Sequence, residues 1–314
     1  MAEGVRDVTF YVMGADEVGE VGGYWTTLDE FPEPKETRFY LGADGSLAPS
    51  LPTGKAAGTR SYTYDPKDPV PTIGGNNLEI PCGPRNQAPL EKRADVLVFT
   101  SDVLTEPLAI TGGVDATIFL STSVVDTDAV VKLIDVYPNP DPLDPLLAGE
   151  SVLVQDGISR LKWRNWRTDP TVALLSGNPD DVYSTTVSLW NTSYIFAVGH
   201  RVRVHVTSSN WPRFYPNPNT GTSFDTANVT AATTIHFDGN AASSFITLPV
   251  VTLDQLPPFP IEEAIRERAA RHDGIWQELV ARGGGGGEPS LTSWLTKRAE
   301  AAIGAAAKRW GARN

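Results

Sequence analysis

Between Val96 and Val251 the chain alternates apolar and polar residues in short runs divided by turn residues. The runs fall at Val96–Thr100, Thr117–Ser121, Ala129–Val136, Ile158–Trp163, Tyr183–Leu189, Val202–Thr207, Thr233–Phe237 and Phe245–Pro249. β-Branched residues dominate them. No amphipathic segment of roughly 10–15 residues sits between one run and the next, which argues against a parallel α/β sheet. The pattern predicts a mainly β protein, an antiparallel two-sheet sandwich with a jelly roll as the expected topology. The clearest run holds Val202, Val204 and Val206 in alternation with Arg201, Arg203 and His205, so a one-residue slip would expose all three valines. It leads into a long loop in which Pro212, Pro216 and Pro218 cannot donate to a ladder and Asn217, Asn219 and Gly221 suit turns. Ser208, Ser209, Asn210, Trp211, Arg213 and Phe214 make a polar and aromatic cluster there, at a strand end, where sites are often built on a rigid scaffold.

The flanks read differently. Residues 1–47 show short strand runs at Val8–Met13 and Arg38–Leu41 and a turn at Asp44-Gly45. Residues 48–94 are rich in Pro and Gly, with brief strand signals such as Ser61–Tyr64. Pro69–Gly75 and Pro81–Gln87 suit either an ordered crossing loop or a plain linker, because so long a connection is usually one or the other. After Asp254 the prolines of Leu256–Pro260 stop the sheet, and 254–314 is expected to be a helical tail. Ile261–Arg282 puts Ile261, Ile265, Ala269, His272, Trp276 and Leu279 near one helix face. Gly283–Gly287 reads as a flexible tether, followed by a second, Ala-rich helix over Ser290–Arg309. The basic residues of that helix read more simply as a solvated face than as a membrane contact.

Composition narrows the partners. A net charge of −12 over 314 residues argues against nucleic acid, whose phosphates need a basic face. Cys82 is the only cysteine, so neither an internal disulfide nor a thiolate zinc cluster is available. No run approaches the roughly 18 apolar residues of a membrane span, and MAEGVRDVTF has no apolar leader core, which slightly favours the cytoplasm.

The loop Gly199–Gly221, GHRVRVHVTSSNWPRFYPNPNTG, resembles a signature of the C-terminal, non-catalytic domain of X-prolyl dipeptidyl-peptidases and cocaine-esterase-type acyl hydrolases. The resemblance recurs in Asp95–Ser101, Leu104–Leu108, Val125–Asp128, Lys132–Pro138 and Gln155–Ile158, and extends more weakly over 8–47 and 68–87. It implies a galactose-binding-like jelly roll over 95–253. It also implies that 1–47 is the close of an α/β-hydrolase domain and that 48–94 is a connecting segment beside the substrate cleft. That catalytic domain, in cis or in trans, is the implied partner. Gly74, Gly75 and Asn76, with Ser208, Ser209, Asn210, Trp211, Arg213 and Phe214, are then the candidate pocket or interface residues. No cofactor is implied. An exposed apolar face at Val8–Met13 and Pro69–Pro84 would let the chain form homo-oligomers when its partner is absent.

The chain's own residues do not supply the family's chemistry. A nucleophilic serine of this family sits in G-x-S-x-G, because flanking side chains would collide in the strained turn. Gly157–Leu161 and Gly221–Asp225 each lack the second glycine. His200, His205, His236 and His272 therefore read as hydrogen-bonded or surface residues, and the chain alone is expected to be inactive. Asp126 and Asp128 would share a strand face, but two carboxylates fall short of the roughly six to eight oxygens calcium takes, and turn capping is the plainer reading. A carbohydrate- or protein-binding module is the rival function, with Trp163, Trp166, Trp190, Trp211, Phe214 and Tyr215 as stacking platforms. Of these, Trp163 and Trp190 fall in strand patterns and are expected in the core.

Overall fold

The structure, a computed structural model, describes residues 4–263 apart from 16–20, 79, 142, 144–145, 223–226, 240–241 and 262. The expected helical tail, with its glycine tether, lies almost wholly outside the described residues. Among the described residues before that point the chain is mainly β, with helix limited to single 3-10 turns. Two compact units divide it: Met1–Tyr11, Tyr24–Phe31 and Leu256–Asn314 form one, Val12–Gly23 and Pro32–Gln255 the other. The strands are β1 (Val8–Gly14), β2 (Tyr24–Leu28), β3 (Lys35–Leu41), β4 (Leu47–Ala48), β5 (Gly58–Tyr64), β6 (Leu97–Thr100) and β7 (Leu108–Thr122). They continue as β8 (Asp128–Val136), β9 (Ser151–Arg160), β10 (Tyr183–Phe196), β11 (Arg201–Thr207), β12 (Ala231–Phe237) and β13 (Phe245–Val251).

The smaller unit is tied by short polar contacts. Thr27 Oγ1 accepts the Arg6 amide at 2.7 Å, and Tyr24 and Thr26 hydroxyls donate to the Leu256 and Pro257 carbonyls at 2.9 and 2.8 Å.

The larger unit is sandwich-like. One sheet runs β1-β10-β7-β13-β3-β4, with β12 joining β7 and β5 joining β12; the other is four-stranded, β6-β11-β8-β9. β1 meets β10 in parallel through Met13–Tyr194 and Gly14–Ile195, and the other described strand-to-strand ladders of this unit are antiparallel. Val202, Val204 and Val206 are buried as their alternation requires, in one cluster with Val131 and Leu133 of β8 and with Ile110, Ile118 and Leu120 of β7. Burying each valine is worth roughly 1.5–3 kcal/mol, which is what holds the β11 register. Phe99 of β6 meets Phe237 of β12 edge-on across the two layers, ring centroids 5.4 Å apart.

Every residue of β8 is buried. Its inward side chains enter the core, and its outward side is covered by the Pro/Gly-rich stretch before β6. That stretch is ordered: Pro71 bridges Trp211, Gly75 bridges Gly83, and Asn86 bridges Val152 of β9. Val70, Leu90 and Val96 form its own small apolar cluster. β3 pairs along its length with β13, and β5 with β12, so parts of 1–47 and 48–94 are strands of the sandwich itself.

Candidate functional site

Three titratable side chains stand in register on the covered face of the four-stranded sheet. His205 of β11 pairs with Lys132 of β8, and Lys132 with Asp156 of β9. Cross-strand neighbours on one face lie about 5 Å apart at Cβ, so the three form a continuous row. All are buried. The Lys132 ammonium donates to Gln87 Oε1 at 3.0 Å, and Gln87 Nε2 in turn holds the Ile73 and Arg85 carbonyls. Burial pulls the Lys132 ammonium down to about 8 against the attraction of Asp156. At the other end Glu91 receives His205 Nε2 at 3.3 Å and Arg203 Nη1 at 2.8 Å. Burial alone would raise the Glu91 carboxyl, but the bonds from His205 and Arg203 outweigh it and hold it at about 2. Burial lowers the His205 imidazole, which leaves it neutral at pH 7 with Nδ1 unpartnered.

The loop singled out from the sequence closes over Asp156. Asn210 Nδ2 donates to Asp156 Oδ2 at 2.9 Å, and the Arg213 guanidinium pairs with Oδ1. A Cβ on Gly75, at φ +88°, would reach 3.1 Å from the Arg213 guanidinium, so a bare backbone is what fits above the pair. Gly74, at φ +70°, is buried beside it, and Asn76 is exposed. Ser208 and Ser209 point inward: Ser208 Oγ bonds the Tyr62 hydroxyl and Ser209 Oγ accepts the Val70 amide, both at 2.8 Å. Phe214 lies under the Arg213 guanidinium, 5.0 Å from its centroid. The candidate residues therefore do come together, most of them as ties that fix the loop. Those facing out are Trp211, 43% exposed, and Tyr215, 56% exposed, whose rings meet edge-on at 6.1 Å.

The far end of the loop is pinned by the two aspartates. Asn217 Nδ2 bridges Asp126 Oδ2 at 3.1 Å and Asp128 Oδ1 at 2.8 Å. Arg160 forks onto Asp128, and Asp126 Oδ1 accepts the Lys162 amide at 3.0 Å. Their oxygens are thus engaged by protein donors, as turn and loop ties. Among the described residues no group of three or more His, Cys, Asp or Glu is placed to hold a metal ion.

Constellations that resemble hydrolytic machinery fall short of it. His200 Nδ1 meets Asp135 Oδ1 at 2.9 Å, but the pair is buried against the Tyr194 hydroxyl. Ser121 Oγ meets His236 Nε2 at 3.1 Å, and His236 Nδ1 lies 3.6 Å from Asp238. Ser121 is buried and sits within a regular antiparallel strand, not at the sharp strand-to-helix turn that presents a nucleophile. Ser159 Oγ bonds Thr185. Ser223 lies outside the described residues.

Two aromatic residues depart from expectation. Trp163 is 38% exposed, because β9 ends at Arg160 and a 3-10 turn follows, started by Leu161 N–H on the Thr127 carbonyl. Trp190 is 67% exposed, at a register shift between Ser188 and Asn191 where β10 bulges away from β7. The row Lys132–Asp156–His205 was not singled out from the sequence. Lysine and aspartate at the centre of apolar runs were the signal available.

Comparison with known proteins gives the context. Residues 4–246 match the family model described as the X-Pro dipeptidyl-peptidase C-terminal non-catalytic domain. The cocaine esterase of Rhodococcus sp. (strain MB1 Bresler) is 36% identical over 263 residues, which cover 79% of this chain and 42% of the relative. An aminopeptidase from a marine sediment Thaumarchaeota archaeon superposes with a TM-score of 0.64 at 30% identity, over 75% of this chain and 40% of its own. An α-amino acid ester hydrolase gives 0.64 at 29%, over 73% and 39%. The chain thus spans less than half the length of each of these relatives. On the sequence match and the shared sandwich, it belongs to the X-Pro dipeptidyl-peptidase C-terminal non-catalytic domain family of CocE-type hydrolases.

Proposed function

We propose that this chain serves as the C-terminal portion of a serine-hydrolase-type enzyme, packing on an α/β-hydrolase domain supplied in cis or in trans and shaping its substrate pocket. The observation that carries this reading is the family match over most of the described residues to a domain described as non-catalytic. The relatives' names, an esterase, an amino acid ester hydrolase and an aminopeptidase, support a reading in which the substrates are esters or peptide amides. The face offered to that domain is the 208–221 loop with the 70–87 segment. Its Trp211, Tyr215, Asn76 and Leu78 are outward while Ser208, Ser209 and Asn210 are locked beneath. The two sheets, antiparallel apart from the β1–β10 pair, are compatible with the galactose-binding-like jelly roll adopted here.

Exchange of the matching region of the Rhodococcus cocaine esterase for this chain tests the reading. The hybrid is expected to keep aryl-ester hydrolysis with an altered substrate preference, while the chain alone shows none and takes no fluorophosphonate label. Labelling of the free chain that disappears in Ser121→Ala would instead make the sandwich itself a hydrolase.

A further inference from the structure

Resting on that reading, we propose that Trp190 is the apolar anchor by which this chain docks on its α/β-hydrolase domain, with Asp115 as the acceptor beside it. Trp190 has φ +67°, a left-handed backbone that is an outlier for a bulky side chain. It is also two-thirds exposed, so little packing among the described residues offsets the strain. Strain of this kind persists where the surrounding structure over-determines it, and it clusters at sites of function.

The surroundings hold the bulge in place. A Cβ on Gly157 of β9 would overlap the Ser188 carbonyl, so β9 lies directly against the bulged stretch. Gln155 Nε2 donates to the Asn191 carbonyl at 3.3 Å, and the Trp190 amide to Ser188 Oγ at 3.4 Å. Opposite Ser188 on β7, Asp115 has one carboxylate oxygen buried with no partner. A buried acceptor left open calls for a donor.

β9 is also the edge of its sheet. The 85–87 segment covers only its first residues, through Gln87 N–H on Ser151 and Leu153 N–H on Arg85. From Val154 onward no described strand pairs with its outer side, and an open edge needs cover. The same strand carries Asp156, under the loop assigned above to the interface. A tryptophan ringed by polar groups that can be desolvated, beside an uncovered edge, is the composition of a binding hot spot. The relatives each carry more than half their length outside the matched region, which supplies a partner large enough to cover it.

Trp190→Gly and Trp190→Asn, both suited to positive φ, separate anchoring from folding. In the free 314-residue chain, the thermal midpoint should stay or rise. In the hybrid with the Rhodococcus esterase, the sandwich transition should fall by about 4–8 °C towards the free-chain value. Asp115→Asn should act in the same direction by less. Equal losses in the free chain and the hybrid would make Trp190 a folding residue and overturn the proposal, as would a hybrid that neither variant moves. If the unsubstituted hybrid melts in two independent steps, with the sandwich at its free-chain midpoint, docking itself is absent. The functional reading then falls and this inference with it.

Discussion

Lys132 and Asp156 face each other as register partners across β8 and β9, and the Arg213 guanidinium closes on the same aspartate from the loop above. A buried ammonium and a partly buried guanidinium thus share one carboxylate. Asp156→Asn should leave both without a counter-charge and cost roughly 3–5 kcal/mol, as breaking a buried pair does. Lys132→Met, which removes a buried charge and keeps the stem, should cost less. Urea unfolding of the two variants measures the difference.

The row and its neighbour Glu91 set a pH dependence of one sign, stability rising with pH, in two separate windows. Lys132 titrates at about 8 in the folded chain against 10.5 unfolded, so the unfolded chain holds more protons between those values. Its contribution to stability therefore rises with pH across that window, by on the order of 3 kcal/mol. Glu91 runs from 4.5 unfolded to about 2 folded, so the stability it contributes above pH 4.5 is lost as pH falls through that range. His205, lowered by burial, adds a loss that begins below its usual 6.5. Denaturant midpoints from pH 3 to 10 should show both limbs. Glu91→Gln should flatten the acid limb and Lys132→Met the alkaline rise; an acid limb unchanged in Glu91→Gln would place its cause elsewhere.

Asn217 is the neutral donor between two carboxylates, and an isosteric acid there should be intolerable at neutral pH. Asn217→Asp is expected to destabilise by about 3 kcal/mol or more, partly recovered on acidification as one carboxyl takes a proton. Asn217→Ala leaves acceptors short of a donor and should cost about 1–3 kcal/mol with little pH dependence. Calorimetry at pH 5 and 7.5 separates the two patterns.

Gly157 marks a close approach of the two layers, where β9 lies on the Ser188 carbonyl of β10. Gly157→Ala should force the layers apart and cost roughly 1–3 kcal/mol. It should also alter the near-ultraviolet signal of Trp190, whose bulge that contact holds. A stability within error of the unsubstituted chain would show that β9 can shift freely.

Where alternation was strict the sequence was legible. Val202, Val204 and Val206 announce β11 and its inner face, and the runs at Ala129–Val136 and Thr233–Phe237 mark β8 and β12. Partners remote in the chain were not: β3 looks like an isolated run until β13 is placed beside it, some two hundred residues later. The first half of β7, through Gly112 and Gly113, has no alternation to read, and the bulge that turns Trp190 outward breaks the period that placed it inside. The loop cluster from Ser208 to Phe214 was recognisable as a unit. Its role as a set of ties was not, because Asp156, the carboxylate it holds, comes from β9.

The Asp135–His200–Tyr194 contact has an evolutionary consequence. Asp135 belongs to β8, Tyr194 to β10 in the other sheet, and His200 to the turn leading to β11. Each satisfies a buried group of another, so changing one alone leaves a buried polar group without that bond. The three positions are therefore expected to drift only as a set, and a triple cycle of Asp135→Asn, His200→Gln and Tyr194→Phe should show single changes costing more than their combination.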